Sequence, residues 1–106
     1  MQITSSANPK IKEICKLRER KARQESGLFY VEGLRHVMEA SQQQAGIETL
    51  VVAPELLTSA VGREFAAAQA RQGVPVLEVS AEVFAGLALK EGPVGLAAGV
   101  RQRLWG

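Results

Sequence analysis

The segment that decides the fold reads LFYVEGLRHVMEASQQQAGIETLVVA and covers residues 28–53. It begins with a continuous apolar run, LFYV, and ends with another, LVVA. Between them, apolar side chains recur at helical spacing and place Leu34, Val37 and Met38 on one face. Runs without alternation are typical of strands that are covered on both faces of a sheet. The segment therefore predicts a strand–helix–strand unit whose helix ends at Gly46.

Similar patterns occur on both sides of this unit. Apolar runs predict four strands in all, and the segments around them have the spacing of amphipathic helices. Alternating helices and strands form a mostly parallel sheet between two helical layers. We therefore predict an α/β fold in the order α-β-α-β-α-β-α-β, a three-layer α/β/α sandwich with a central mixed, largely parallel four-stranded sheet. The predicted strands are 28–32, 48–53, 74–79 and 94–100.

The first helix is expected to begin at Asn8 and Pro9, because asparagine is a favoured N-cap and proline fits the first helical position. It should cover 9–22 and fade before Gly27, which supplies a stop. Three of its side chains are expected to face the core: Ile11, Ile14 and Cys15.

Two later helices also group their apolar side chains. In the stretch 59–73 these are Val61, Phe65 and Ala68. The last helix is expected to follow Ser80, a favoured N-cap residue. Its packed side chains would be Val83, Phe84 and Leu87.

The composition fits one globular domain without a membrane partner. The chain has 106 residues, of which 46% are hydrophobic and 23% are charged. A single cysteine excludes an internal disulfide and favours a reducing, cytoplasmic setting. The polar start of the chain is not a signal peptide, and no apolar run approaches membrane-spanning length.

Few residues could carry catalysis. The one histidine, His36, opens a predicted helix, and the one cysteine, Cys15, lies on an apolar helix face. No Cys/His cluster has the spacing of a metal site, and the glycines in GPVGLAAG do not follow a dinucleotide-binding fingerprint. We therefore predict no catalytic, cofactor or metal site in this chain, and no catalysis by the chain alone.

Positive charge is concentrated near the beginning of the chain. Residues 10–23 hold seven Lys or Arg, and residues 1–36 carry a balance of +4 against −2 for the rest. Lys12, Lys16 and Arg20 follow each other at four-residue intervals, where like charges repel on a helix. Phosphates would turn that repulsion into attraction. Because the aromatics form no exposed stacking platform, we expect contacts to the backbone and shape of a nucleic acid rather than stacking on single bases.

The predicted nucleic-acid contacts are Lys12, Lys16, Arg20, Lys21, Arg23 and Arg35, with Lys10 and Arg18 as weaker candidates. The alternative for Arg18 is that it covers the core with its aliphatic stem. One alternative interpretation is a solvated helix face that Glu13 and Glu19 balance. Another is a basic helix that docks on an acidic protein partner.

The ordered set of motifs resembles the SpoU/TrmH family of RNA 2′-O-ribose methyltransferases. That family opens with Ile-Thr-Ser, Asn-Pro, a basic helix and a Phe-x-Val-Glu-Gly-x-Arg/Lys turn, which correspond here to 3–5, 8–9, 10–23 and 29–35. The later segments LVVAPELL, GVPVLEVSAEVFAGLA and GPVGLAAGV are also similar, although many members carry a Thr or Gln near the last of these. The resemblance covers residues 2–100.

The resemblance implies a fold like that of the ribosomal proteins that bind kink-turn RNA. It makes residues 1–100 an RNA-binding domain and residues 101–106 the start of an interdomain linker. A knotted C-terminal domain, absent from this chain, would bind S-adenosylmethionine, form a homodimer and transfer the methyl group. The chain would then be a monomeric fragment that positions structured RNA, with ribosomal RNA favoured. The alternative is a stand-alone, ribosome-associated RNA-binding protein without catalytic activity.

Overall fold

The computed structural model describes residues 2–5, 7–42, 46–88 and 94–101. Within these ranges the chain forms five helices and four strands. In chain order they are α1 (Pro9–Lys16), α2 (Arg20–Ser26), β1 (Leu28–Glu32), α3 (Leu34–Gln42), β2 (Ile47–Val52), α4 (Ala60–Arg71), β3 (Val76–Glu78), α5 (Ala81–Leu87) and β4 (Leu96–Arg101). All four predicted strands are present, within two residues at each end. The last residues, 102–106, lie outside the described part.

The sheet is mixed, as predicted, with the strand order β1-β4-β2-β3. β2 and β3 are parallel, whereas β4 lies between β1 and β2 and is antiparallel to both. Three strands share one direction, but two of the three pairings are antiparallel, so the prediction of a largely parallel sheet is wrong. A continuous apolar run indicates that both faces are covered and does not report strand direction.

The two faces of the sheet form two separate cores, and this confirms the three-layer sandwich. Along β4, Leu96, Ala98 and Val100 point to the core under α3 and α4, which we call the α3/α4 face. Ala97 points to the opposite core, under α1 and α5, which we call the α1/α5 face. On that face the predicted inward side chains of α1 are confirmed, with two buried and one half-buried: Ile11, Ile14 and Cys15.

The predicted single helix over 9–22 is wrong, because the chain turns between α1 and α2. The backbone N–H groups of Leu17, Arg18 and Glu19 each donate to a carbonyl three residues back, and this tightens the end of α1. Glu19 is extended, with φ −90° and ψ 133°, and α2 starts directly after it. Gly27 ends α2 in the left-handed conformation, as predicted, with φ 71°.

The predicted N-caps are confirmed. The side chain of Asn8 accepts a hydrogen bond from the N–H of Lys10 at 2.9 Å. The hydroxyl of Ser80 accepts one from the N–H of Val83 at 3.1 Å. These bonds satisfy N–H groups that have no partner within their own helix.

The predicted inward face of α4 is only partly correct. Its buried residues are Gly62 and Ala66, whereas Val61 is 58% exposed and Phe65 is partly buried. A side chain at Gly62 would approach Leu57 Cδ1 to 2.7 Å, so the helix lies close to the loop before it through small residues. No described helix is both long and apolar enough to cross a membrane.

Candidate nucleic-acid interface

The basic segment 10–23 forms α1, α2 and the turn between them. α1 packs beside α5, and α2 packs on β1, so the segment covers one end of the α1/α5 face. The predicted contacts on this segment fall into three groups by what their charged groups touch. Arg35 is separate, because it belongs to α3 in the other helical layer.

Three cations of the segment are exposed and available to an anion: Lys12, Lys16 and Arg20. None of them forms an ion pair or a side-chain hydrogen bond within the described part of the chain. Lys12 and Lys16 lie one turn apart on α1, but Arg20 opens α2, so the turn interrupts the predicted line of three charges. Lys16 ends α1, where the helix dipole favours a positive charge.

Three other predicted cations are held in exposed ion pairs. The pairs are Lys10–Glu13 at 3.6 Å, Lys21–Glu25 at 3.9 Å and Arg35–Glu39 at 3.3 Å. Each is between residues three or four apart on one helix. Exposed pairs of this kind contribute about 0–1 kcal/mol, so a phosphate could replace the carboxylate at little cost.

The remaining two arginines hold the fold together. Arg18 Nη2 donates to the carbonyl oxygens of Gly86 and Leu87, both at 2.7 Å, at the end of α5. Arg23 Nη1 donates to the carbonyl oxygens of Leu17 and Arg18, at 2.9 Å and 2.8 Å, in the turn after α1. Both guanidinium groups satisfy carbonyls that the helix ends leave unpaired. Their contact with RNA stays a prediction.

A cleft of about 370 Å³ opens between this segment and the sheet. Its walls are mainly aliphatic, and two lysines and two glutamates of α1 and α2 lie along it. The lining residues come from α1, the turn, α2 and three strands: Lys10, Glu13, Ile14, Lys16, Leu17, Ala22, Glu25, Ser26, Leu28, Glu48, Thr49 and Gly99. The volume lies within the range of small-molecule sites, about 300–1,000 Å³.

A β-bulge in β2 supplies the polar end of this cleft. Ile47 pairs with Val100 and Thr49 pairs with Gly99, so Glu48 is an extra residue on β2. The bulge directs the side chains of Glu48 and Thr49 into the same cleft. The Thr49 hydroxyl donates to Glu48 Oε2 at 2.6 Å.

Glu48, Thr49 and Gly99 are not among the predicted binding residues. The only sign of Glu48 and Thr49 in the sequence is that they form a polar pair inside the apolar strand IETLVV. Strict alternation would send the two polar side chains to opposite faces. The bulge changes that, and nothing in the residue types reveals it.

A second polar pair lies at the end of β1 and is structural. Tyr30 donates its hydroxyl hydrogen to Glu32 Oε1 at 2.8 Å. Burial raises the pKa of Tyr30 well above its ordinary value, and the hydrogen bond to Glu32 raises it further. His36 is exposed on α3, and the described residues contain no group of His, Cys, Asp or Glu that could hold a metal ion.

Comparison with known families and structures gives a consistent answer. The model of the MRM3-like substrate binding domain matches residues 8–98. A search of curated proteins finds no significant match.

Several solved structures share the fold. An RNA 2′-O ribose methyltransferase is 36% identical over 97% of this chain, with a TM-score of 0.83. An rRNA methyltransferase from Sinorhizobium meliloti is 31% identical over 97%, with a TM-score of 0.77. The SpoU methyltransferase AviRb from Streptomyces viridochromogenes, in complex with AdoMet, is 19% identical over 92%, with a TM-score of 0.68, and shows the fold alone.

The matched region is 38%, 37% and 36% of those three chains, so this chain spans little more than a third of their length. The family model and the structures agree on nearly the whole of the chain, and they confirm the resemblance to SpoU-type RNA 2′-O-ribose methyltransferases. The chain belongs to the family of MRM3-like substrate binding domains.

Proposed function

We propose that this chain holds structured RNA, and ribosomal RNA in particular, for 2′-O-ribose methylation by another part of a longer protein. The observation that carries the proposal is the group of exposed, unpaired cations on α1 and α2, which we call the free cations: Lys12, Lys16 and Arg20. One of them, Lys16, lines a cleft in a domain whose family is defined by substrate binding. The names of the similar methyltransferases give RNA as the polyanion on which those proteins act.

The free cations suit phosphate contacts for a physical reason. Each long side chain ends in a charge that no described carboxylate neutralises, so binding a phosphate breaks no existing ion pair. Binding releases the counterions condensed on the RNA, and this release makes the affinity depend on salt. With three phosphates contacted, the slope of log affinity against log salt should be roughly −2 to −3.

The methyl donor belongs to another part of the longer protein on this proposal. AdoMet is present in the AviRb structure and in a second structure of the Sinorhizobium meliloti enzyme. In the described part of this chain, the glycines with positive φ lie singly between different helices and strands, and they form no glycine-rich loop: Gly27, Gly33, Gly46, Gly73 and Gly95. We therefore assign AdoMet binding, methyl transfer and homodimerisation to a knotted domain after a linker at 101–106. The RNA-binding domain, 1–100, is monomeric by itself and works in the cytoplasm.

The test is a salt-resolved binding measurement. A fluorescently labelled ribosomal RNA hairpin is titrated with the chain at several salt concentrations, and anisotropy gives the affinity. Lys16→Glu should weaken binding and make the salt slope shallower by about 1, because one phosphate contact is lost. Lys16→Glu with Arg20→Glu should remove most of the binding, since each reversal also adds a repulsion.

The matched control is Arg71→Glu. It changes the net charge as much as Lys16→Glu does, and Arg71 is exposed at the end of α4, where it pairs with exposed Glu64 at 3.3 Å. Arg63 is unsuitable, because its Nε donates to the Leu57 carbonyl at 2.7 Å and its loss would affect the fold. Equal losses from Lys16→Glu and Arg71→Glu would mean that only net charge matters, and the site would be wrong. Tighter binding to an acidic polypeptide than to RNA would favour a protein partner.

A further inference from the structure

The cleft beside the free cations has features that phosphate contacts do not require. Three glutamates line it, although a carboxylate repels phosphate, and of these Glu48 has no ion pair in the described part of the chain. The bulge in β2 is what brings Glu48 there, and bulges are frequent where a side chain must be re-aimed at a site. Only one oxygen of Glu48 is engaged, by the Thr49 hydroxyl, and Oε1 accepts no hydrogen bond from the described residues. The cleft therefore offers a hydrogen-bond acceptor to a guest.

The shape of the cleft indicates a flat guest. Ile14, Leu17 and Leu28 give it aliphatic walls, and Gly99 lies on its floor in the middle of β4. A glycine inside a strand often marks a place where a ligand comes close to the backbone. Apolar walls with one polar end suit a ring that is apolar on its faces and polar on its edge. An unstacked nucleobase has that form.

The acceptor at the end of the cleft selects among the four bases. Guanine presents two neighbouring donors on its Watson–Crick edge, N1–H and the N2 amino group, and a carboxylate can accept from both. Adenine and cytosine present one amino group next to a ring nitrogen that repels a carboxylate. Uracil presents one N–H between two carbonyls. Guanine is the only standard base whose edge is complementary to Glu48.

We propose that the cleft binds an unstacked guanine of the RNA, with its Watson–Crick edge on the Glu48 carboxylate and its flanking phosphates on Lys16 and Arg20. The proposal rests on the RNA-binding function above and adds base selectivity to it. The base would come from a loop or bulge, because a paired guanine has its donors engaged.

An arginine or lysine of a protein partner fits the cleft less well. Lys10 and Glu13 line it as an ion pair, and Glu25 is paired with Lys21 of its own helix. Lys16 lines the cleft without a partner in the described part of the chain, and it would repel a cationic guest. A neutral base that carries anionic phosphates agrees better with this arrangement.

The first test compares RNA hairpins that share one stem and have a uridine loop with a single guanosine, inosine or adenosine. The chain should prefer guanosine to adenosine on the order of tenfold, the effect of one good two-donor base contact. Inosine, which lacks the N2 amino group, should lie between them. Glu48→Gln should abolish the preference and leave the salt slope unchanged. The control is Glu55→Gln, which removes the same charge from an exposed loop residue and should keep the preference.

A second variant fills the floor of the cleft. A methyl group at Gly99 would lie 3.8 Å from Leu17 Cδ1 and 3.9 Å from Glu48 Oε2, at ordinary contact distances. Gly99→Ala should therefore fold normally and weaken the guanosine hairpin more than the adenosine hairpin. An unchanged preference in both Glu48→Gln and Gly99→Ala overturns the proposal, as does a wild-type chain that binds all three hairpins equally.

The two proposals fail in different ways. If affinity depends on Lys16 but not on the base, RNA binding stands and the guanine site is wrong. If no hairpin binds, RNA binding is wrong, and an NMR titration tests the cleft alone. Guanosine 5′-monophosphate should then shift the amide resonances of Thr49 and Gly99, whereas adenosine 5′-monophosphate should not. Displacement of the guanosine nucleotide by an arginine-rich peptide, with tighter binding of the peptide, would identify a protein ligand and overturn the assignment.

Discussion

Replacing Arg18 with methionine should destabilise the domain and should weaken RNA binding less than the loss of an exposed, unpaired cation does. Methionine keeps an aliphatic stem but loses the guanidinium group that donates to the carbonyls of Gly86 and Leu87, both at 2.7 Å. A hydrogen bond to a charged group contributes about 1.5–3 kcal/mol, but one of these two is exposed, so we expect about 2 kcal/mol for the pair. For a domain of this size that loss lowers Tm by about 8 °C.

The matched control for this change is Arg20→Met. It makes the same substitution two residues later, at an exposed arginine without a side-chain partner in the described part of the chain. Because a cation at the first position of α2 opposes the helix dipole, its removal costs the fold nothing. Arg20→Met should change the free energy of unfolding by less than about 0.5 kcal/mol. It should nevertheless weaken RNA binding and make the salt slope shallower.

Urea denaturation of the two variants, followed by circular dichroism, gives the free energy of unfolding at an unchanged m-value. RNA affinity is measured on the same samples at a temperature where both are folded. The reasoning is refuted if Arg18→Met is as stable as the wild type, or if it loses as much RNA affinity as Arg20→Met while folded. Either result would mean that the bonds to α5 do not hold Arg18 away from the RNA.

Two further predictions concern the core. Gly95→Ala should cost about 3 kcal/mol, because Gly95 has a φ of 87° and a Cβ there would lie 2.7 Å from the backbone nitrogen of Leu57. In a thermal melt, Gly86→Ala is its control, since a Cβ at this helical position meets nothing within 4 Å and should be neutral or stabilising. The raised pKa of Tyr30 means that the folded state favours the neutral phenol. The neutral phenol therefore stabilises the folded state fully below the ordinary tyrosine pKa of about 10. This stabilisation is lost as pH rises above that value. Because Tyr30 is the only tyrosine, its phenolate absorbance reports the titration. Tyr30→Phe should make the stability fall less steeply at high pH. An ordinary pKa for Tyr30 in the folded protein would contradict the burial argument.

Local signals in the sequence predicted the positions of strands and helix starts. Asn8 and Ser80 cap the helices that follow them, because a short polar side chain satisfies N–H groups within two or three residues. Gly27 ends α2 for a similarly local reason, its left-handed conformation. Features that depend only on neighbouring residues can therefore be predicted from the sequence.

Features that depend on distant partners could not be predicted in this way. The direction of β4 follows from its insertion between β1 and β2, which no residue type in GLAAGV reports. The break after α1 is stabilised by Arg23, whose partners lie five and six residues before it, and by the attachment of Arg18 to α5. The sequence analysis predicted Arg23 as a nucleic-acid contact and Arg18 as a weaker contact or a cover over the core, and it predicted no bonds to carbonyl oxygens for either. The position of Glu48 in the cleft depends on a bulge against Gly99, on another strand.

The same arrangement separates what holds the domain together from what would contact RNA. On α1 the buried side chains are Ile11 and Ile14, while Lys12 and Lys16 are exposed on the same helix. Two arginines hold this region together: Arg18, in the turn after α1, binds the end of α5, and Arg23, on α2, binds the carbonyls of the turn and so fixes where α2 starts. The distance between the charges of α1 and α2 is therefore set by residues that need not touch RNA. It follows that the exposed cations and the cleft can vary with the RNA that is bound without loss of stability. The core beneath them, Arg18 and Arg23 cannot vary in this way, because the stability of the fold depends on them.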